Sequence, residues 1–260
     1  MWTIPRLLTL LAGLTLTVAH SQLGYPIPRS NGPRTATCGA GLGCKGPCES
    51  LRSATRINDL GYQKVYVARG QKLKVQWKRA NHPGGFVRLA LVPIEKSDSW
   101  DDFNTNVLKH SCYESHCGPD PGKPDEFGYG NGVGGGDCWT EVEVPAFYKD
   151  ETVVTLQWIW YGGGVYYAQP EAGFGEYYNC ADIVVKGGTT PTAVGKVAPV
   201  FEGKDYSNPT SNVCKYWSSN QVGVCSFAGR MPSPKSGDLL SESLEPCARG
   251  KSMTGKPAGF

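Results

Sequence analysis

The chain has 260 residues, of which 40% are hydrophobic and 19% charged, with 26 basic and 23 acidic residues for a net charge of +3. That length allows one sizeable core and an appendage. The charge is too balanced for a nucleic-acid footprint, so no nucleic-acid partner is expected.

Residues 1–19 have the three parts of a secretory signal. Arg6 supplies the positive start, Leu7 to Val18 form an apolar stretch, and Thr17 and Ala19 are the small residues that suit a cleavage site. The apolar stretch is short for a membrane span, no other long one follows, and the end from Lys251 to Phe260 is no hydrophobic anchor signal. The expectation is a secreted, extracellular, soluble protein with no membrane partner. A cut after Ala19 makes His20 the first residue. A cut after Ser21 is the rival, because Ala19 and Ser21 are also small, and it would discard His20. Loss of Arg6 with the leader leaves 25 basic residues against 23 acidic ones.

In that compartment the ten cysteines (38, 44, 48, 112, 117, 138, 180, 214, 225 and 247) read as disulfides. Their connectivity cannot be read from spacing. Seven precede residue 186 and three follow it, so full pairing requires at least one bridge across that boundary.

The stretch from His20 to Ser30 is proline-punctuated and extended rather than helical. Cys38, Cys44 and Cys48 fall in a Gly/Pro-rich loop. Leu73, Val75 and Trp77 alternate with lysines and Gln76, a strand with one wet face. Residues 62–68 read as its hairpin neighbour across Arg69 and Gly70. Asn81-His82-Pro83-Gly84-Gly85 is a turn, and residues 86–94 are a more continuously apolar strand. Residues 95–137 are long, polar and glycine-rich, a surface excursion with one short helix around Trp100 to Leu108. Strands return at residues 139–144 and 152–161, where Val154, Leu156, Trp158 and Trp160 share a face. The last strand of the main unit covers residues 177–186. Short strands, turn signals and disulfides together predict an all-β sandwich of the immunoglobulin or fibronectin III type with long loops. From Gly187 a linker leads into a polar, loop-rich C-terminal extension with three cysteines, where Tyr206, Tyr216, Trp217 and Phe227 are candidates for carbohydrate contact. A disulfide-pinned extension without activity of its own is the plainer reading. The expected division is therefore a leader at 1–19, a sandwich at 20–186 and an extension at 187–260.

Four histidines are available: 20, 82, 110 and 116. Taken alone, His82 is a solvated turn residue, and Tyr177 and Tyr178 are ordinary strand aromatics. A mature terminus at His20 changes their meaning, because that residue then offers its α-amine and its imidazole together. Adding the His82 imidazole makes three nitrogens, a set that suits Cu(II), with a tyrosine oxygen near an axial position. The amine binds only when neutral, and copper itself displaces the proton. His110-x-Cys112 and His116-Cys117 have zinc-like spacing. A secreted chain favours instead a Cys112–Cys117 or longer-range disulfide, with both histidines on the surface. Gly-x-Ser-x-Gly is absent and no paired-carboxylate glycosidase site is evident.

These features together resemble the lytic polysaccharide monooxygenases. The matching parts are His20 after the leader, the Tyr25-Pro-x-Pro-Arg29 lead-in, Asn81 to Gly85, Leu156-Gln-Trp-x-Trp160, and Tyr177-x-Asn-Cys-Ala-Asp-Ile183, spread over residues 20–186. The Tyr-x-Asn-Cys-Ala ending is most like the oomycete family that cleaves pectin (homogalacturonan), with cellulose- and chitin-active relatives as alternatives. The resemblance implies one copper ion, Cu(I) or Cu(II), held by His20 and His82, with Tyr177 as the axial tyrosine and Tyr178 as its adjacent rival. It also implies an external electron donor, O2 or H2O2 as co-substrate, oxidation of a sugar C–H beside a glycosidic bond, and a monomeric protein. The polymer is expected to meet loop aromatics such as Tyr25, Tyr161, Tyr166 and Tyr167. Relatives often carry Gln or Glu two residues before the axial tyrosine. Here that position is Gly175, with Glu176 one step off. A non-catalytic secreted sandwich that binds copper or carbohydrate, and a metal-free disulfide-rich effector, are the competing readings.

Overall fold

The structure, a computed structural model, describes residues 21–29, 36–38, 47–48, 51–78, 85–116, 138–162, 175–203, 213–218, 221–226 and 247–248. Two sheets face each other in an immunoglobulin-like β-sandwich. The smaller sheet has the order β1 (Gln22–Tyr25), β4 (Lys72–Lys78), β7 (Cys138–Glu143). The larger runs β10 (Val200–Glu202), β6 (Val107–Cys112), β5 (Phe86–Pro93), β8 (Val153–Gly162), β9 (Gly175–Gly188), β2 (Ala36–Cys38), with β3 (Tyr66–Arg69) also paired to β9.

The core between them follows from strand alternation. Leu73, Val75 and Trp77 point inward from β4, and Val154, Leu156, Trp158 and Trp160 from β8. Ala181, Ile183 and Val185 complete the layer from β9. Strand β5 is apolar almost throughout because both its faces are covered. Leu89 and Leu91 join the sandwich core, while Ala90 and Val92 pack outward with Phe103 and Cys48. Phe103 belongs to α1 (Trp100–Thr105), whose N-cap Ser99 accepts the Asp102 amide. Gln157, buried on that outer face, donates to the Pro47 carbonyl and accepts from Arg88.

Two expectations need correction. Residues 62–68 do not form a hairpin with β4. The chain turns at Gly70, whose amide donates to Val144, and β3 joins the other sheet, parallel to β9. The corner is pinned by Arg69, which pairs with Asp150 and donates to the Thr189 carbonyl. Gly188, at φ +90°, passes so close that a Cβ there would lie 2.4 Å from the Arg69 carbonyl oxygen.

Residues 95–137 are not all surface. Strand β6 lies inside the larger sheet, buried at every position. Its polar sequence is tolerated because Lys109 pairs with Glu202 and donates to the Glu141 carbonyl. Beyond residue 187 the loop-rich extension also contains strands. After the exposed stretch 189–198, β10 adds to the main sheet parallel to β6, and β11 (Val213–Ser218), β12 (Gln221–Ser226) and β13 (Cys247–Ala248) form a third sheet. As required by cysteine counting, a bridge crosses the boundary: Cys112–Cys214. A second joins Cys48 to Cys180. Among the described residues, no helix is long and apolar enough to cross a membrane.

Candidate functional site

One end of the sandwich collects the strand termini that matter. Strand β1 begins there, with Gln22 paired to Lys78 at the end of β4. Phe86 opens β5 opposite both Cys112, at the end of β6, and Tyr161, near the end of β8. Gly162 meets Gly175, where β9 starts. Contacts between the sheets show that these termini share one end: the Trp77 indole donates to the Tyr113 carbonyl at 2.8 Å, and the Leu23 amide donates to the Asn179 side chain at 2.9 Å.

Beneath that end lies an aromatic floor. Tyr113 stacks on Trp160 at 4.1 Å between ring centroids, and Trp77 sits 6.5 Å from Tyr113 and 6.3 Å from Trp158. All four rings are fully buried. Such a floor excludes water from below and fixes the height of the strand ends above it. Tyr113 also donates its amide to the Gly85 carbonyl. Gly85 has φ +84°, a conformation glycine adopts without strain, and it closes the connection from β4 to β5 that contains His82.

The lead-in is fastened to β9 as well as to β4. The Arg29 amide donates to Cys180, and its guanidinium holds Asp182 through two hydrogen bonds while also reaching Ser97 and Thr155. All of this is buried. Because β1 is an edge strand, amides facing away from β4 have no ladder partner, and Asn179 takes the one from Leu23.

Tyr177 lies in β9, with its backbone paired to Trp160 and Thr37; Tyr178 pairs with Ile159 and Ala36, and Glu176 with Tyr161 and Cys38. His20 and His82 lie outside the described residues, as do Tyr166 and Tyr167. The described residues that flank the two histidines in the chain, Ser21, Lys78 and Gly85, belong to the end just outlined. Tyr25 is 37% exposed and available to a polymer, whereas Tyr161 is fully buried against Phe86 and is not.

The zinc-like spacing resolves differently. Cys112 is bonded to Cys214, and among the described residues no three His, Cys, Asp or Glu side chains form a metal cluster. His110 is not on the surface as expected. It is wholly buried beside Phe86, and burial, with Arg88 second, depresses its pKa to about 3. His116 is partly buried, stacked on Trp139 at 4.0 Å, and Lys74 lies over that indole. Trp139 is thus a half-buried surface stack. Sequence reasoning missed Tyr113 and the clamp by Asn179. The second sat inside the Tyr177–Ile183 motif, but only the fold shows what it grips.

No protein-family model matches the chain, and no curated protein matches it. Among solved structures, it is similar in part to a cellulose-active lytic polysaccharide monooxygenase in complex with copper, at 16% identity and TM-score 0.33, covering 49% of this chain and 55% of that one. It is also similar to an AA15 lytic polysaccharide monooxygenase from Thermobia domestica in the Cu(I) state, at 18% identity and TM-score 0.37, covering 64% of this chain and 99% of that one. A third likeness is to an AA10 lytic polysaccharide monooxygenase from Streptomyces lividans, at 12% identity and TM-score 0.30, covering 60% and 80%. The match thus spans little more than half the length of the first of these proteins.

Proposed function

We propose that the chain is a secreted, copper-dependent polysaccharide monooxygenase that acts once cleavage after Ala19 exposes His20. The observation that carries this reading is the pairing of Gln22 with Lys78 at the end of the sandwich where β9 starts. His20 is two residues from one partner and His82 four from the other, distances of at most about 7 and 14 Å of extended chain. Three residues beyond His82, Gly85 is hydrogen-bonded to the aromatic floor.

The donor set fits the metal. An amine and two imidazoles are nitrogen ligands of the kind Cu(II) prefers, and a phenol would add an oxygen donor. His20 would supply its amine and imidazole, and His82 a second imidazole. Tyr177 would be the phenol rather than Tyr178, because it stands three residues before Cys180, the spacing the resemblance implies. When bound, copper supplies one-electron redox chemistry that activates O2 or H2O2 toward a sugar C–H, with electrons from an external donor. The chain's own residues fix the ligands, shield them from below, and present exposed groups such as Tyr25 to an extended polymer.

For the substrate we propose pectin, on the resemblance of the Tyr177–Ile183 segment to the pectin-active family. The test is to incubate copper-loaded protein beginning at His20, with ascorbate, on homogalacturonan, cellulose and chitin. Oxidised oligosaccharides from homogalacturonan support the full reading, and their release from cellulose or chitin alone corrects the substrate. Tight copper binding with no product on any polymer points to a binding module instead.

A further inference from the structure

Every inner-face position of β9 from 181 to 185 is apolar: Ala181, Ile183 and Val185. Asn179, next in that row toward the strand's start, is polar, and it is fully buried. Its Oδ1 accepts the Leu23 amide at 2.9 Å, a contact between residues 156 apart in sequence. Among the described residues its Nδ2 has no hydrogen-bond partner. The acceptor oxygen is therefore the half of this buried amide that the described residues engage.

The contact sits where the lead-in needs a fixed height. Leu23 is three residues from His20, and register is broken by one residue just after it, between Leu23 and Tyr25. On the near side of that bulge, β4 holds Gln22 and Leu23 by its backbone ladder alone. Asn179 supplies a second fixed point from the facing sheet, in the strand that carries Tyr177 two positions away.

We propose that Asn179 is a positioning residue for the amino terminus. Its side-chain oxygen holds β1 against β9, so that the amine and imidazole of His20 reach the strand-end site in one arrangement. The inference rests on the copper reading above. It assigns Asn179 no contact with copper or polymer.

The experiment compares wild-type protein, confirmed by intact mass to begin at His20, with Asn179→Asp, Asn179→Leu and Asn179→Ala. The readouts are apo-protein melting temperature, Cu(II) affinity by titration, and the Cu(II) EPR spectrum. Asp keeps an acceptor for the Leu23 amide, so its spectrum and affinity should stay close to wild type. Leu should give a broadened or multiple-species spectrum and at least about a tenfold loss of affinity. Ala, which removes the acceptor without adding bulk, should do the same, and it decides the matter if the Leu protein is not secreted. Spectra and affinities unchanged in Leu or Ala overturn the inference while leaving the copper reading intact. Equal damage in Asp also overturns it, because the acceptor would then not be what counts. A wild-type protein that binds no copper defeats the copper reading and this inference with it.

Discussion

The guanidinium of Arg29 grips the carboxylate of Asp182 through two hydrogen bonds, Nε to Oδ2 at 2.9 Å and Nη2 to Oδ1 at 2.8 Å, and both side chains are buried. Ser97 and Thr155 accept from the same guanidinium, so the pair is fully engaged. Removing one partner strands the other charge away from water. Arg29→Met should therefore cost about 3–5 kcal/mol of stability. Denaturant unfolding of the oxidised protein checks this. A loss below about 1 kcal/mol would mean the pair is dispensable.

His110 makes the fold acid-sensitive. In the folded chain its ring stays neutral down to a pKa of about 3, mainly because it is buried and secondarily because Arg88 is near. In the unfolded chain it protonates at its ordinary 6.5. Its contribution is therefore complete above pH 6.5 and is lost as the pH falls toward 3, at up to about 1.4 kcal/mol per pH unit. Unfolding of wild type and His110→Gln across that window should show a steeper wild-type slope. Parallel slopes would contradict the assignment.

The Cys112–Cys214 bridge fastens the third sheet to the end of β6, next to Phe86. The stretch 189–198 is exposed throughout and contains Lys196. Cleavage after Lys196 by trypsin should leave two pieces joined under non-reducing conditions and separable with reductant. Pieces that separate without reductant would refute the tether.

Gly85 combines φ +84° with a carbonyl that accepts the Tyr113 amide. Gly85→Ala should cost about 1–2 kcal/mol, because an L-residue is strained there. It should also weaken copper binding through the neighbouring turn. Thermal unfolding and copper titration measure the two effects. An unchanged melting temperature would show that the turn relaxes freely.

Strands β4 and β8 were legible in sequence because each has one face on the core. Leu73, Val75 and Trp77, and Val154 to Trp160, then repeat with period two. Strand β6 was not, because its Lys109 and His110 are hidden by partners from β10, β7 and β5 that no local pattern reveals. The place of β3 was misread for a similar reason. A short turn at Gly70 looks the same whether it joins neighbours or passes between sheets. At the candidate site, the residue types and their order were readable as chemistry. The Leu23–Asn179 clamp and the Tyr113 floor were not, since both depend on which strand ends meet.

The most direct test of the central claim is the Cu(II) EPR spectrum of protein beginning at His20, beside that of its His82→Ala variant. A brace formed by the His20 amine, the His20 imidazole and His82 predicts hyperfine structure from three nitrogens in the wild type and two in the variant, with weaker binding in the latter. The same nitrogen count and affinity in both proteins, or no bound copper in the wild type, would contradict it.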